Sequence, residues 1–255
     1  SEDSQQMRFE FDEISISANR GISYFDVSSG IDARLVSPLL SATQNKDIIH
    51  LDFKTPADLS LSGHKYISGM PLGLAGDIIF RQDPINISTT GLKLSAWGIT
   101  ANIDLGIDLA GNPILTKAGA SIPPVKILPL LKLALPGLLA DMPALKGLDT
   151  PLSFGVNAVV KTPWDMTSPT LPDVRMDFGV PSCELTFTDK GSSARIDNLE
   201  IRGSFAFNGA DPAKSSLSVP LLDLGGDGVA LSLTAEVTEA LSSDPIIRLT
   251  SKGNA

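Results

Sequence analysis

Apolar and polar residues alternate singly along much of this chain, and a period of two predicts strands, because successive side chains of a strand point to opposite faces. In NIDLGIDLAGNPI, Ile103, Leu105, Ile107 and Leu109 share one parity, and Asn102, Asp104, Gly106 and Asp108 share the other. A helix would scatter these residues around a cylinder and bury Asp104 or Asp108. The same pattern recurs in MRFEF (7–11), IHLDF (49–53), LSFGVNAVV (152–160), NLEIRGSFAF (198–207) and VALSLTAEV (229–237). Turn signals separate these runs, among them Gly63, Gly69, Gly111, Asp189-Lys190-Gly191 and Gly225-Gly226-Asp227-Gly228. The expected class is all-β, mostly antiparallel and rich in hairpins.

Four Asx-Pro steps punctuate the pattern, at Asp83-Pro84, Asn112-Pro113, Asp211-Pro212 and Asp244-Pro245. The prolines are 29, 99 and 33 positions apart, which reads as a degenerate repeat of about 30 residues with three units in the middle gap. Proline gives no N–H to a ladder, so these steps are expected at turns and edges, where one unit of paired strands hands over to the next. Two segments break the alternation. PPVKILPLLKLALPGLLADMPALKG (123–147) is rich in Leu but interrupted by Lys and Pro, and it is too short and broken to span a bilayer. It reads as a short amphipathic helix capping a β core or contacting lipid. ARLVSPLLSATQ (33–44) reads as a second, smaller helical interruption.

Charge and composition narrow the function classes. With 29 acidic and 20 basic residues the net charge is −9 and no basic cluster stands out, which argues against nucleic acid as a partner. Cys183 is the single cysteine, so there is neither a disulfide framework nor a zinc spacing. The chain opens SEDSQQMRFEF, with no signal-peptide pattern, and is expected to be one elongated module, residues 1–255, cut from a longer protein.

Candidate chemistry is sparse. His50 falls on the polar parity of its strand and His64 in a Gly-flanked turn. No nucleophile elbow, P-loop, HExxH or dinucleotide fingerprint occurs. DLGGDG (223–228) approaches a calcium loop, but Gly225 and Thr234 stand where ligands belong. Asp104 and Asp108 would lie about 13 Å apart on a strand, too far to share acid–base work. Trp97 and Trp164 sit beside turns. No catalytic residue, metal site or cofactor is expected, and the chain is read as non-enzymatic.

Strand endings such as LAGNPI and LSSDPI, the strand IDNLEIRG, and the interposed segment IPPVKILPLLKLALPGL together make residues 50–250 resemble the AsmA-like proteins. That family is related to TamB and to the bridge-like lipid-transfer proteins. The resemblance is one of texture, without a catalytic signature. It implies an elongated, curled β-groove, taco-like, with one or two short helices. It also implies a periplasmic location, an inner-membrane anchor that this chain lacks, and phospholipid transport in outer-membrane biogenesis. The implied partners are phospholipid acyl chains and cell-envelope proteins. The lipid-groove candidates are Leu92, Leu94, Ile103, Leu105, Ile107, Leu109, Phe205, Phe207, Leu231 and Leu233. A closed β-sandwich serving as a structural or adhesin-like module would use the same residues as a dry core. The raw edges of a groove segment would favour end-to-end self-association.

Overall fold

The computed structural model describes residues 12–18, 20–26, 30–61, 63–96, 98–126, 152–189, 192–226 and 229–254. They form a single antiparallel sheet of 16 strands. Its first part contains β1 (Glu13–Ser17), β2 (Ile22–Asp26), β3 (Ile31–Leu35), β4 (Leu39–Asn45), β5 (Ile48–Leu61) and β6 (His64–Gln82). The middle contains β7 (Ile85–Ala96), β8 (Ile99–Asp108), β9 (Ile114–Lys126), β10 (Ser153–Val160) and the two-residue β11 (Trp164–Asp165). The last part contains β12 (Val174–Asp189), β13 (Ser192–Phe207), β14 (Ser216–Gly226), β15 (Val229–Thr238) and β16 (Ile246–Asn254).

From β4 onward each long strand pairs with the next, and the path ends at β16 without returning to β1. The sheet is therefore open, elongated and curled, and it is not a closed sandwich. Strands that approach one another closely are the ones that share a ladder. Among the described residues the buried hydrophobics are only Ala42, Ala57, Leu92, Leu115, Val180 and Leu185. The path holds 13 strands, so at about 4.8 Å per spacing the sheet runs about 58 Å across them.

Several sequence expectations need correction. Residues 33–44 are not a helical interruption: β3 and β4 run in line along β5, pairing with Ala57–Leu61 and Ile48–Lys54. Pro38 and a left-handed Ser37 (φ 50°) break the line without coiling it, and Thr55 Oγ1 donates to Val36 O across the gap at 3.1 Å. In the second segment, Pro123–Lys126 belong to β9, and 127–147 lie outside the described residues. The helical element that is described is a 3₁₀ turn at Pro212–Lys214.

Prolines are not confined to turns and edges either. Pro123, Pro124, Pro181 and Pro220 lie within central strands, but each falls at a register shift. A bulge leaves backbone groups outside the ladder, so a missing N–H costs nothing there. The bulges also bend the strands, which curls the sheet.

The Asx-Pro steps share one place. Strand directions alternate, so every second connection falls on the same rim, and all four steps lie on it. Between Pro113 and Pro212 the chain makes β9, β10, β12 and β13. That is two long hairpins rather than three repeat units. Segment 127–151 and the 161–173 connection make up the extra length, and Thr162-Pro163 marks the intermediate connection. The repeat unit is one hairpin, and its period varies with strand length.

Hydrogen bonds lace the connections of this rim together. Phe80 N–H donates to Asp47 O, Leu109 N–H to Ile85 O, Met166 N–H to Pro113 O and Ala240 N–H to Ser215 O. Between the last two links, Gly209 N–H donates to Asp173 Oδ1 at 3.0 Å. That bond, followed by the one from Lys161, holds the Asp173 carboxyl below the ordinary 3.8. A depressed carboxylate contributes its stabilisation above the unfolded value and loses it as pH falls through the folded one. Protection of the Gly209 amide from hydrogen exchange, corrected for intrinsic rate, is expected to hold above 3.8 and decline below it. Asp173→Asn should remove that pH dependence.

Gly76 tests the fold more severely. Its φ is +145°, and a Cβ there would meet Leu92 Cα at 2.5 Å and Gly91 O at 2.6 Å. Gly76→Ala is expected to cost about 1–3 kcal/mol in denaturant unfolding. Gly111→Ala, where a Cβ meets open space, should change little.

Candidate functional site

Residues paired across an antiparallel ladder point to the same face, so the register alone assigns the faces. On β8, Ile103 is opposite Leu92 on one side and Ala120 on the other. Leu105 is opposite Ala118, and Ile107 is opposite Ile87 and Leu115. Leu94 is opposite Leu74, which is opposite Phe53. Leu109 lies just beyond the end of β8 with the same parity, and its side chain is exposed. In the second half, Phe205 is flanked by Met176 and Leu217, and Phe207 is opposite Val174. Leu231 and Leu233 are opposite Leu224 and Leu222. Ladders from β7 to β15 connect the two groups, so all ten candidates share one face of one sheet.

The face is wider than those ten residues. The intervening strands add Val156, Phe178 and Ile201, and the first strands add Leu40 and Leu51. Several were hidden because the alternation changes phase within a strand. On β7, Ile87 and Leu92 have opposite parity in sequence yet share a face, because Gly91 (φ 62°) takes up one residue in a bulge. Thr89 repairs the ladder there: its Oγ1 accepts from Leu105 N–H at 2.8 Å. On β14, the shift at Pro220 puts Val219 and Leu222 on the same side. A glycine with positive φ or a proline inside an alternating run is the signal that would have found them.

The opposite face is polar and ion-paired. Lys117 reaches Asp104 at 3.1 Å, Arg175 reaches Asp177 at 3.1 Å, and Arg202 reaches Glu200 at 2.5 Å. His50 Nδ1 lies 2.8 Å from Asp77 Oδ1. These pairs are solvent-exposed and contribute at most about 1 kcal/mol each. Their larger role is to keep this side wet. A broad depression of about 960 Å³ lies on this face over β9–β14, between Arg175, Asp177, Glu200 and Arg202. The surface is thus not a simple greasy trough: each face has its own relief.

On the apolar face the side chains cover one another unevenly. Around β10–β13 they pack tightly. The Phe178 ring lies over Gly203, where a Cβ would fall 2.3 Å from Cζ, and its centroid is 6.3 Å from that of Phe154. Leu185 is buried among Leu152, Cys183, Ile196 and Leu199, and the partial burial of Cys183 itself raises its thiol pKa. Towards the first edge the face opens into a recess of about 320 Å³ lined by Ile22, Tyr24, Leu35, Ala57, Met70 and Leu72. Recesses of this size accept small apolar ligands.

DLGGDG spans the passage from β14 to β15, as a hairpin requires. Among the described residues, no group of three or more His, Cys, Asp or Glu is placed to hold a metal ion. No described helix is long and apolar enough to cross a membrane. The accessible part of the apolar face is expected to bind a solvatochromic dye such as anilinonaphthalene sulfonate in the folded state. Leu94→Glu, at a position already 44% exposed, should lower the fluorescence without lowering the melting temperature. Comparison with protein-family models, with curated proteins and with solved structures finds no match.

Proposed function

We propose that the apolar face binds acyl chains and that the chain is a lipid-handling, non-enzymatic module of an AsmA-like periplasmic protein. One observation carries this reading: a continuous apolar face runs across the whole strand path, and no second layer among the described residues covers it. Soluble monomers rarely leave so large an apolar strip open without a partner. Acyl chains are the partner for which a generic lining suffices. At about 0.8 kcal/mol per buried methylene, about ten methylenes on this face gain about 8 kcal/mol before ordering costs. No polar anchor is needed. A lining of Leu, Ile, Val and Phe with no deep pocket also holds cargo similarly at each position, which suits movement along the sheet. In this reading the protein is anchored at the inner membrane by a segment outside this chain, and envelope proteins dock at its ends.

The test places a photocrosslinking residue at Leu105 or at Asp104, which face opposite ways on β8, in intact cells, followed by mass analysis of the adducts. Phospholipid adducts at Leu105 and none at Asp104 are expected. Protein-only adducts at Leu105 would overturn lipid binding in favour of a structural module.

The ends of the sheet generate a second expectation. On β16 the apolar-face residues Ile247 and Leu249 are 60% and 73% exposed, and the outer backbone edge of this strand has no partner among the described residues. Exposed, regular edges template further pairing. Sedimentation at rising concentration is expected to show self-association, weakened by Thr250→Pro. Strictly monomeric behaviour at high concentration would count against it.

A further inference from the structure

The rim that carries the Asx-Pro steps differs from an ordinary loop edge in three respects. It is tied together: three hydrogen bonds join its last four connections to one another, and two more tie Asp47 and Leu109 to the adjoining strands at Phe80 and Ile85. The connections are also tied internally. Asp165 Oδ1 accepts from Thr167 N–H and Oγ1–H at 2.8 and 2.6 Å, and Asn208 Oδ1 accepts from Ala210 and Asp211 N–H. Ser215, wholly buried, accepts from Asn208 N–H through its Oγ.

It is apolar where loops are usually polar. Met166, Leu171 and Leu241 lie in its connections, and Ile48, Ile85 and Ile246 begin the strands that leave them; all six are between 42% and 60% exposed. None of the connections needs these side chains for its turn chemistry, which is supplied by Asx, Ser, Gly and Pro.

It is also acidic. The six connections (46–47, 83–84, 109–113, 161–173, 208–215 and 239–245) carry seven carboxylates against three lysines. Two of the lysines are already paired within the rim, Lys161 with Asp173 at 3.3 Å and Lys214 with Asp211 at 3.2 Å. An anionic lipid surface is therefore a poor match, and a basic surface is a good one.

Spacing narrows the partner further. Connections on one rim recur every two strands, about 9.6 Å, so the six span about 48 Å. A heptad of α-helix advances about 10.5 Å. A helix lying along a stretch of the rim therefore advances by close to one connection per heptad, with its flanking positions free to meet the carboxylates.

We propose that this rim docks a basic amphipathic helix of a partner protein, with Leu-type residues seated at the exposed apolar positions and Lys or Arg against the carboxylates. A preformed, hydrogen-bonded edge loses little freedom on binding, which favours affinity. Met166, Leu171 and Leu241 lie in the connections and outside the strands that build the apolar face, so the site does not depend on the lipid reading.

The test uses a fluorescent 21-residue peptide of three heptads, with Leu at positions a and d and Lys elsewhere. A second peptide replaces every Lys with Glu, and vesicles of phosphatidylcholine and phosphatidylglycerol are the third probe. Binding is read by anisotropy and by vesicle flotation. The Lys peptide is expected to bind the wild-type chain and to weaken with added salt, and the Glu peptide is expected not to bind. The triple variant Met166→Ser/Leu171→Ser/Leu241→Ser, at exposed positions in the connections, should weaken the Lys peptide at least tenfold with an unchanged melting temperature. Leu94→Glu, on the apolar face, should leave its binding intact. Equal binding of both peptides, or wild-type affinity in the triple variant, overturns the proposal. Loss in Leu94→Glu alone would place the peptide on the apolar face, and vesicle binding that only the triple variant abolishes would make the rim a lipid contact. Either result also overturns it.

Discussion

Everything in this structure depends on keeping strand parity from one ladder to the next. A strand offers its side chains to two faces in strict turn, and a slip of one residue moves a whole apolar set to the wrong side. In a sandwich a second sheet would punish such a slip by burying charge. Among the described residues no second layer does so, and the assignment of faces rests on each ladder in succession. The bulges at Gly91, Pro124, Pro181 and Pro220 are therefore corrections: each absorbs one phase error in the sequence and returns the next apolar residue to the shared face. The ion pairs of the opposite face, such as Lys117–Asp104 and Arg175–Asp177, add little stability. They make the inverted arrangement costly, because it would place those charges among Leu and Phe.

The curl follows from the same devices. A flat single layer would leave every apolar side chain widely exposed. Bending at bulges brings Leu92, Leu115 and Val180 into contact with their neighbours and buries them with no covering layer among the described residues. Phe178 over Gly203 achieves the same locally, an aromatic ring filling the space that a missing side chain leaves. The unevenness of the face, packed around β12 and open near β2, reflects where these devices are concentrated.

Much of this was legible in the sequence. The alternation around Ile103–Leu109 located β8 and its facing, and Phe205, Phe207, Leu231 and Leu233 lie across the register from further apolar residues as their spacing implied. Two kinds of feature were not legible. Residues 33–44 looked helical because Leu-rich spacing there is ambiguous, and pairing with β5 decided the outcome. The repeat was miscounted because the interval between prolines measures strand and connection length together, and β12 and β13 are longer than β7 and β8. The rim lacing could not be read at all, since it joins residues such as Asp173 and Gly209 that only the sheet brings together.

The path of the sheet has one more consequence. From β4 onward each long strand leans on the one made just before it, so among the described residues a strand finds its ladder partner one hairpin back in the chain. Chains of low contact order form quickly and in stages. A polypeptide emerging gradually from a ribosome or a translocation channel could add hairpin after hairpin to a growing template, with the newest strand always serving as the temporary edge. Assembly would then run in the same direction as synthesis, and an interrupted chain would stop as a shorter version of the same sheet rather than as a misfolded one.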